Sequence, residues 1–379
     1  MNTCPRVFRK GPPVLVLLAA QSLSFGAWAD IAEPVEGRIG LVLGYLNHAI
    51  YQTEDGKEEC PDGFHFTQND NFEAQFPTEA ERESVLRKYV YYTNRGPNGE
   101  NVFFHPTVIE DPLPLRDVKG AIGLGINLDG RVDDNDFSSP DGENGIDNEL
   151  YRVIGCIPGW RNGGTIDGSF RTEVRASHKM RMLIEISDVD DVHNDLDVTV
   201  MMYRALDGIE VGPDNNLIPF RSQRIDYREG QRYIHKMRGK LVDGTLYTEP
   251  VDITVPVYGP FNILQDFSMR DARFQLKLTG DGAEGYLGGY YDVERWWLNF
   301  TKIWGAHFNA DVTGWSGPAT YSGLKRFADE YPDENGVNTA ISGAYRLEFV
   351  RSFVVHSEDE SDRTKPALMT DRGARNAKQ

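Results

Sequence analysis

Basic residues are in short supply: 40 Lys plus Arg stand against 58 Asp plus Glu, a formal charge of -18 at pH 7. A field of that sign repels phosphate backbones, which excludes nucleic acid as a partner. Cysteine is scarcer still, with three residues and no CxxC, CxxCH or Cys/His zinc spacing. The motifs of common catalytic sites are missing too: there is no HExxH and no Walker loop. Gly123-Leu124-Gly125 lacks the third glycine of a dinucleotide loop, Leu128 standing in its place. Gly314-Trp315-Ser316-Gly317-Pro318 departs from a nucleophile elbow at Pro318. No repeat of 20 to 50 residues recurs, which argues against solenoids and propellers. What is present is a chain built to fold: 379 residues, 40% hydrophobic, with 17 Tyr, 19 Phe and 6 Trp.

The one long apolar stretch lies at the start. Arg6, Arg9 and Lys10 precede Val14 to Ala20, and Ala27-Trp28-Ala29 places small residues at the two positions a signal peptidase tests. Gln21, Ser22 and Ser24 interrupt the run, which falls short of the roughly 20 apolar residues a membrane span needs. Residues 1–29 are therefore expected to be a signal peptide, with the mature protein exported to the periplasm or beyond and carrying no transmembrane anchor. Cys4 leaves with that segment. In an oxidising compartment Cys60 and Cys156 then pair most simply with each other.

Four regions follow from the pattern. After the signal, residues 30–160 carry a helix start at Thr78, with Glu81 completing a capping box, and an acidic stretch. The dense apolar run near Ile39 to Leu46 leaves strand and helix undecided. Residues 161–356 alternate with period two: Met182, Ile184, Ile186; Val198, Val200, Met202; Val251 to Val257; Ala272 to Leu278; Tyr345 to Val355. Asp207-Gly208, Asp243-Gly244 and Asp281-Gly282 supply hairpin chemistry between runs. The expected fold is mainly β, an antiparallel sandwich or jelly roll with a few packed helices, and a helical insertion near 293–331. Residues 357–379, polar and charge-balanced, read as a disordered tail.

The densest chemical signal runs from Asn127 to Glu149, where twelve of 23 positions are Asp, Asn or Glu. Six to eight oxygen ligands with glycines at the bends suit Ca²⁺, although the EF-hand spacing is absent. Asp129, Asp133, Asp136, Asp141 and Asp147 are the candidate calcium ligands, with Asn148 as a sixth. The competing reading is a solvated acidic loop in an acidic protein. A second cluster, Asp188, Asp190, Asp191, Asn194, Asp195 and Asp197, reads as a polar hairpin tip, against the alternative of another Ca²⁺ loop or a sugar-contacting loop. Around Arg232, Tyr233, His235 and Lys236 a lyase-type site can be drawn, against the simpler reading of a basic strand face neutralised by neighbouring acids.

Aromatic residues concentrate between Tyr286 and Trp315. The helical spacing of Trp296, Phe300, Ile303 and Trp304 points them inward. Tyr290, Tyr291 and Trp315, beside glycines, are the ones expected on display as ligand-binding rings. Asn127-Leu128-Asp129-Gly130, Gly145-Ile146-Asp147-Asn148-Glu149-Leu150 and Leu287-Gly288-Gly289-Tyr290 resemble blocks in a group of uncharacterised exported bacterial proteins. The resemblance implies secretion and a shared domain, and no catalytic residues. The reading is an exported, calcium-stabilised binding or envelope protein with carbohydrate as the expected ligand. The alternative is a secreted polysaccharide-acting hydrolase or lyase.

Overall fold

A computed structural model describes residues 31–64, 73, 76–85, 96–102, 104–109, 115–176, 180–258, 264–300 and 317–356. The expected signal peptide, the C-terminal tail and Trp315 lie outside the described residues.

The chain is mainly β, with a large antiparallel sheet and few helices, as the alternating segments require. Eight strands form a ring: β1 (Ile39–His48), β4 (Met182–Ser187), β5 (Asp195–Arg204), β7 (His235–Val242), β8 (Thr245–Thr248), β10 (Leu264–Leu278), β11 (Gly282–Asp292) and β13 (Asn338–Val355). They are hydrogen-bonded in that order, and β13 returns to pair with β1 from Gly40↔Ser352 to His48↔Tyr345. One curved sheet therefore supplies both faces of the core. Closure leaves these strands no free edge, and eight strands enclose a space that side chains can fill. Outside the ring, β2 (Phe137–Ser138) pairs with β3 (Asn144–Ile146), β6 (Arg221–Arg224) adds in parallel to β13, β9 (Val251–Tyr258) pairs with β10, and β12 (Glu330–Pro332) pairs with β13.

The undecided apolar run proves to be β1, buried along its whole length because both its faces are covered. Ile39, Leu41 and Leu43 point into the ring, while Val42 joins Leu183, Tyr203 and Ile225 outside it. A register shift between Leu43 and Tyr45 reverses the phase, so that Leu46 and His48 face inward and Tyr45 and Asn47 face outward. A bulge of this kind re-aims every later side chain of its strand. Asp243 and Gly244, both at positive φ, form the β7–β8 turn. Asp281-Gly282 joins β10 to β11. Asp207-Gly208 makes no tight hairpin; the Asp207 carboxylate instead takes the Arg224 guanidinium and main-chain N–H.

Helices close one end of the ring. The capping box forms as expected, with the Thr78 N–H donating to Glu81 Oε2 and the Glu81 N–H to Thr78 Oγ1, and α1 (Glu79–Val85) follows. Then come α2 (Glu149–Ile154), α3 (Thr165–Arg171), α4 (Val293–Phe300) and α5 (Gly317–Arg326). Trp160 stacks on Trp296 with ring centroids 5.9 Å apart, and the His48 ring meets Trp160, Phe170 and Tyr345. Full burial strips His48 of solvation and drives its pKa down to about 3, so it stays neutral in this aromatic plug. Cys60 and Cys156 form the disulfide expected of them, and beside it the buried Glu59 accepts from Arg161 at 2.5 Å.

Residues 125–128 lie against the outer face of β11 and β13. Ile126 and Leu128 pack there on Tyr290 and Ala340. Gly288 makes the close approach feasible: a Cβ on it would stand 3.1 Å from Leu128. Asn148 locks the arrangement. Its side-chain amide donates to the carbonyls of Ala49 and Leu124, and its Oδ1 accepts the Ala344 N–H.

Candidate functional site

Where that loop meets the rim of the ring, four segments enclose a cavity of about 430 Å³. The loop gives Asp129, Arg131, Asp133, Asn135 and Asp136. The turn from β3 into α2 gives Asp147, Glu149 and Arg152. β11 gives Tyr290, and the passage from α5 to β13 gives Arg326, Phe327, Ala328, Asp329, Glu330 and Asn338. Seven carboxyl groups thus face three guanidinium groups.

Two of the carboxyls, those of Asp147 and Glu149, are buried, and that of Asp329 is half-buried. Asp147 Oδ2 accepts the N–H of Leu128 at 2.5 Å and, more weakly, that of Asp129 at 3.3 Å. Burial outweighs these donors, the charges of Asp129 and Asp136 add to it, and the Asp147 pKa rises to about 7. Glu149 is raised to about 7 by burial, against Arg152, whose Nε donates to its Oε1 at 3.0 Å. Asp329 accepts the Ser342 N–H at 2.8 Å and is raised to about 6 by burial. The Ser342 hydroxyl accepts the Glu149 main-chain N–H, so one residue of β13 meets both neighbours. Burial raises the Tyr290 pKa as well, which keeps its hydroxyl a proton donor.

Of the six expected calcium ligands, four line this cavity: Asp129, Asp133, Asp136 and Asp147. Asp141 sits on the exposed turn between β2 and β3, away from it, and Asn148 spends both ends of its amide on the main chain. Arg131 bonds Asp129 at 2.6 Å and lies 3.7 Å from Asp133, neutralising part of the loop from within. Among the described residues, no group of three or more His, Cys, Asp or Glu side chains is arranged to hold a metal ion.

Tyr290 lines the cavity but is only 5% exposed, and Tyr291 is not on display at all. At 2% exposure it points into the ring toward Tyr345 and Phe267, because successive strand residues face opposite sides. The second acidic cluster is a hairpin tip that caps its own turn: Asp195 accepts the N–H groups of Asp190 and Asp197, and Asp191 that of His193. The basic stretch is tied down. Asp266 takes Arg232 and the Tyr233 hydroxyl, and His235 Nε2 accepts the Thr254 N–H.

Sequence reasoning passed over Glu149, Arg152, Arg326, Asp329, Glu330 and Asn338. Glu149 and Arg152 adjoin the acidic stretch, and their helical spacing was an available signal. Asp329 arrives from a distant segment through β12–β13 pairing, which no local pattern announces. No family model, curated protein or solved structure matches the chain. Among the described residues no helix is long and apolar enough to cross a membrane.

Proposed function

We propose that the protein is an exported binding protein whose Asp147–Glu149–Asp329 cavity takes a hydroxyl-rich, carbohydrate-like ligand. A hydroxyl both donates and accepts, and it is best met by a wall that does the same. The observation that carries the reading is the composition of that wall. Arg131, Arg152, Arg326 and Asn338 donate, the outer carboxylates accept, and near neutral pH Asp147 and Glu149 are each split between a donating acid and an accepting carboxylate. A glycan array tests it. Retention of one sugar class by the wild-type chain, lost on Glu149→Gln, supports the proposal; no retained glycan rejects it.

The same two carboxyls favour the enzymatic alternative, since glycoside hydrolysis uses one acid and one base at neutral pH. A reducing-end assay on polysaccharides, with absorbance for unsaturated products, separates a hydrolase, a lyase and a binder. Calcium belongs to the same proposal, as an ion held by the loop carboxylates in competition with Arg131. Chelation that lowers Tm, with recovery on added calcium, supports a resident ion, and an unchanged Tm removes it.

A further inference from the structure

A second cavity, also about 430 Å³, opens on the outer face of β9, β10 and β11. Its polar lining is Asp252, Thr254, Ser268, Arg270, Asp292 and Arg295. We propose that this cavity and the acidic one are neighbouring subsites of a single groove, which takes an elongated neutral or amino-bearing oligosaccharide laid across Tyr331. The inference rests on the carbohydrate reading of the first cavity and adds the length and charge of the ligand.

Strand register places the two cavities side by side. Arg270 of the second is the cross-strand partner of Tyr290 of the first, and such partners stand about 5 Å apart. Along β11, Tyr290 and Asp292 are two residues apart on the same face, a step of about 6.6 Å. Asp292 and Glu330 both pair with Ala340, again one from each cavity. The two linings have no residue in common, yet they meet at adjacent register positions of β10, β11 and β12.

Between them stands Tyr331, which touches a lining side chain of each. Its ring meets the edge of Tyr290 at 5.8 Å and carries the Arg270 guanidinium over its face at 4.5 Å. It is held from both ends: its hydroxyl donates to Asp271 Oδ2 at 2.6 Å, and its carbonyl accepts the Thr339 hydroxyl at 2.7 Å. A residue touching one lining side chain of each cavity is a ridge between subsites.

Charge sets the ligand class. The first cavity has seven carboxyls to three guanidiniums, and the second has Asp252 and Asp292 against Arg270 and Arg295. Neither presents a surplus of positive charge, so a polyuronate is repelled at one end and gains nothing at the other. Neutral hydroxyls and ammonium groups suit both.

Calorimetric titration of the full chain with glucosamine, its β-linked tetramer, cellotetraose and tetragalacturonate tests the proposal. The glucosamine tetramer or cellotetraose is expected to bind at least about tenfold tighter than the monosaccharide, the gain of one added set of contacts. Tetragalacturonate is expected not to bind. Arg295→Ala, at an exposed position whose guanidinium makes only a 3.4 Å contact with Ser268, should cut tetramer affinity and leave the monosaccharide unchanged. Tyr331→Phe should keep the length dependence. Equal affinity for monomer and tetramer, or preferred binding of the uronate, overturns the two-subsite groove while the first cavity stands. Binding of none of the four sugars overturns both.

Discussion

Replacing Asp147 by Asn should stabilise the protein at alkaline pH and do little under acid. The side chain titrates at 3.8 in an ordinary setting and at about 7 in the folded chain. Between those values the folded state holds a proton that the unfolded chain releases. Stability is therefore fully present below about pH 4, falls as pH rises toward 7, and levels off above. A shift of that size corresponds to about 4 kcal/mol at most. The cavity opens to water and Arg131 sits beside Asp129, so screening brings the expected figure to about 2 kcal/mol. Asn keeps an oxygen for the Leu128 N–H and removes the ionisation, so the local geometry has a reason to persist. Urea denaturation followed by tryptophan fluorescence, at pH 3 and pH 8, reads the difference, since Trp160 and Trp296 are buried. Asp147→Asn should match the wild type at pH 3 and exceed it by about 2 kcal/mol at pH 8. A gap that is the same at both pH values, or a variant weaker at pH 8, refutes the argument that a buried carboxylate strains this site.

Other substitutions probe what positions the cavity. Asn148→Ala removes three buried hydrogen bonds to the main chain and should cost about 3 kcal/mol, read as a fall in the urea midpoint together with lost glycan binding. Cys60→Ser with Cys156→Ser frees a loop spanning 96 residues and should lower stability by up to about 4 to 5 kcal/mol; a Tm that is unaffected would show the bridge to be dispensable. Asp226 behaves oppositely to Asp147: burial alone would raise its pKa, but Arg228 and Arg204 overcome that and hold it below the ordinary value. Its contribution is present above the ordinary carboxylate range and is lost as pH falls through the depressed value. Asp226→Asn should therefore destabilise by about 3 to 5 kcal/mol at pH 7 and by much less near pH 2, measured by denaturant titration at both.

The strands and the disulfide were legible because each rests on a local rule. Alternation marks β4, β5, β9, β10 and β13, and the capping box at Thr78 marks α1. Closure of the ring was not legible. It depends on pairing between β1 and β13, some 300 residues apart in the chain, and β1 hides its alternation because both its faces are buried. The acidic stretch contained four of the carboxylates that line the cavity. It did not disclose that Arg131, Arg152 and Arg326 would enter among them, nor that Asp329 would complete the site. Tyr290 and Tyr291 show the limit of residue type: adjacent tyrosines with the same neighbours, one in the cavity wall and one in the core, separated by strand parity alone.

The most direct test of the account is diffraction from a crystal soaked with the glycan that the array retains most strongly. The sugar should lie against Asp147, Glu149, Asp329 and Tyr290, with its hydroxyls within hydrogen-bond distance of these carboxyls. Density for the sugar anywhere else on the protein, with this cavity holding water alone, would contradict it.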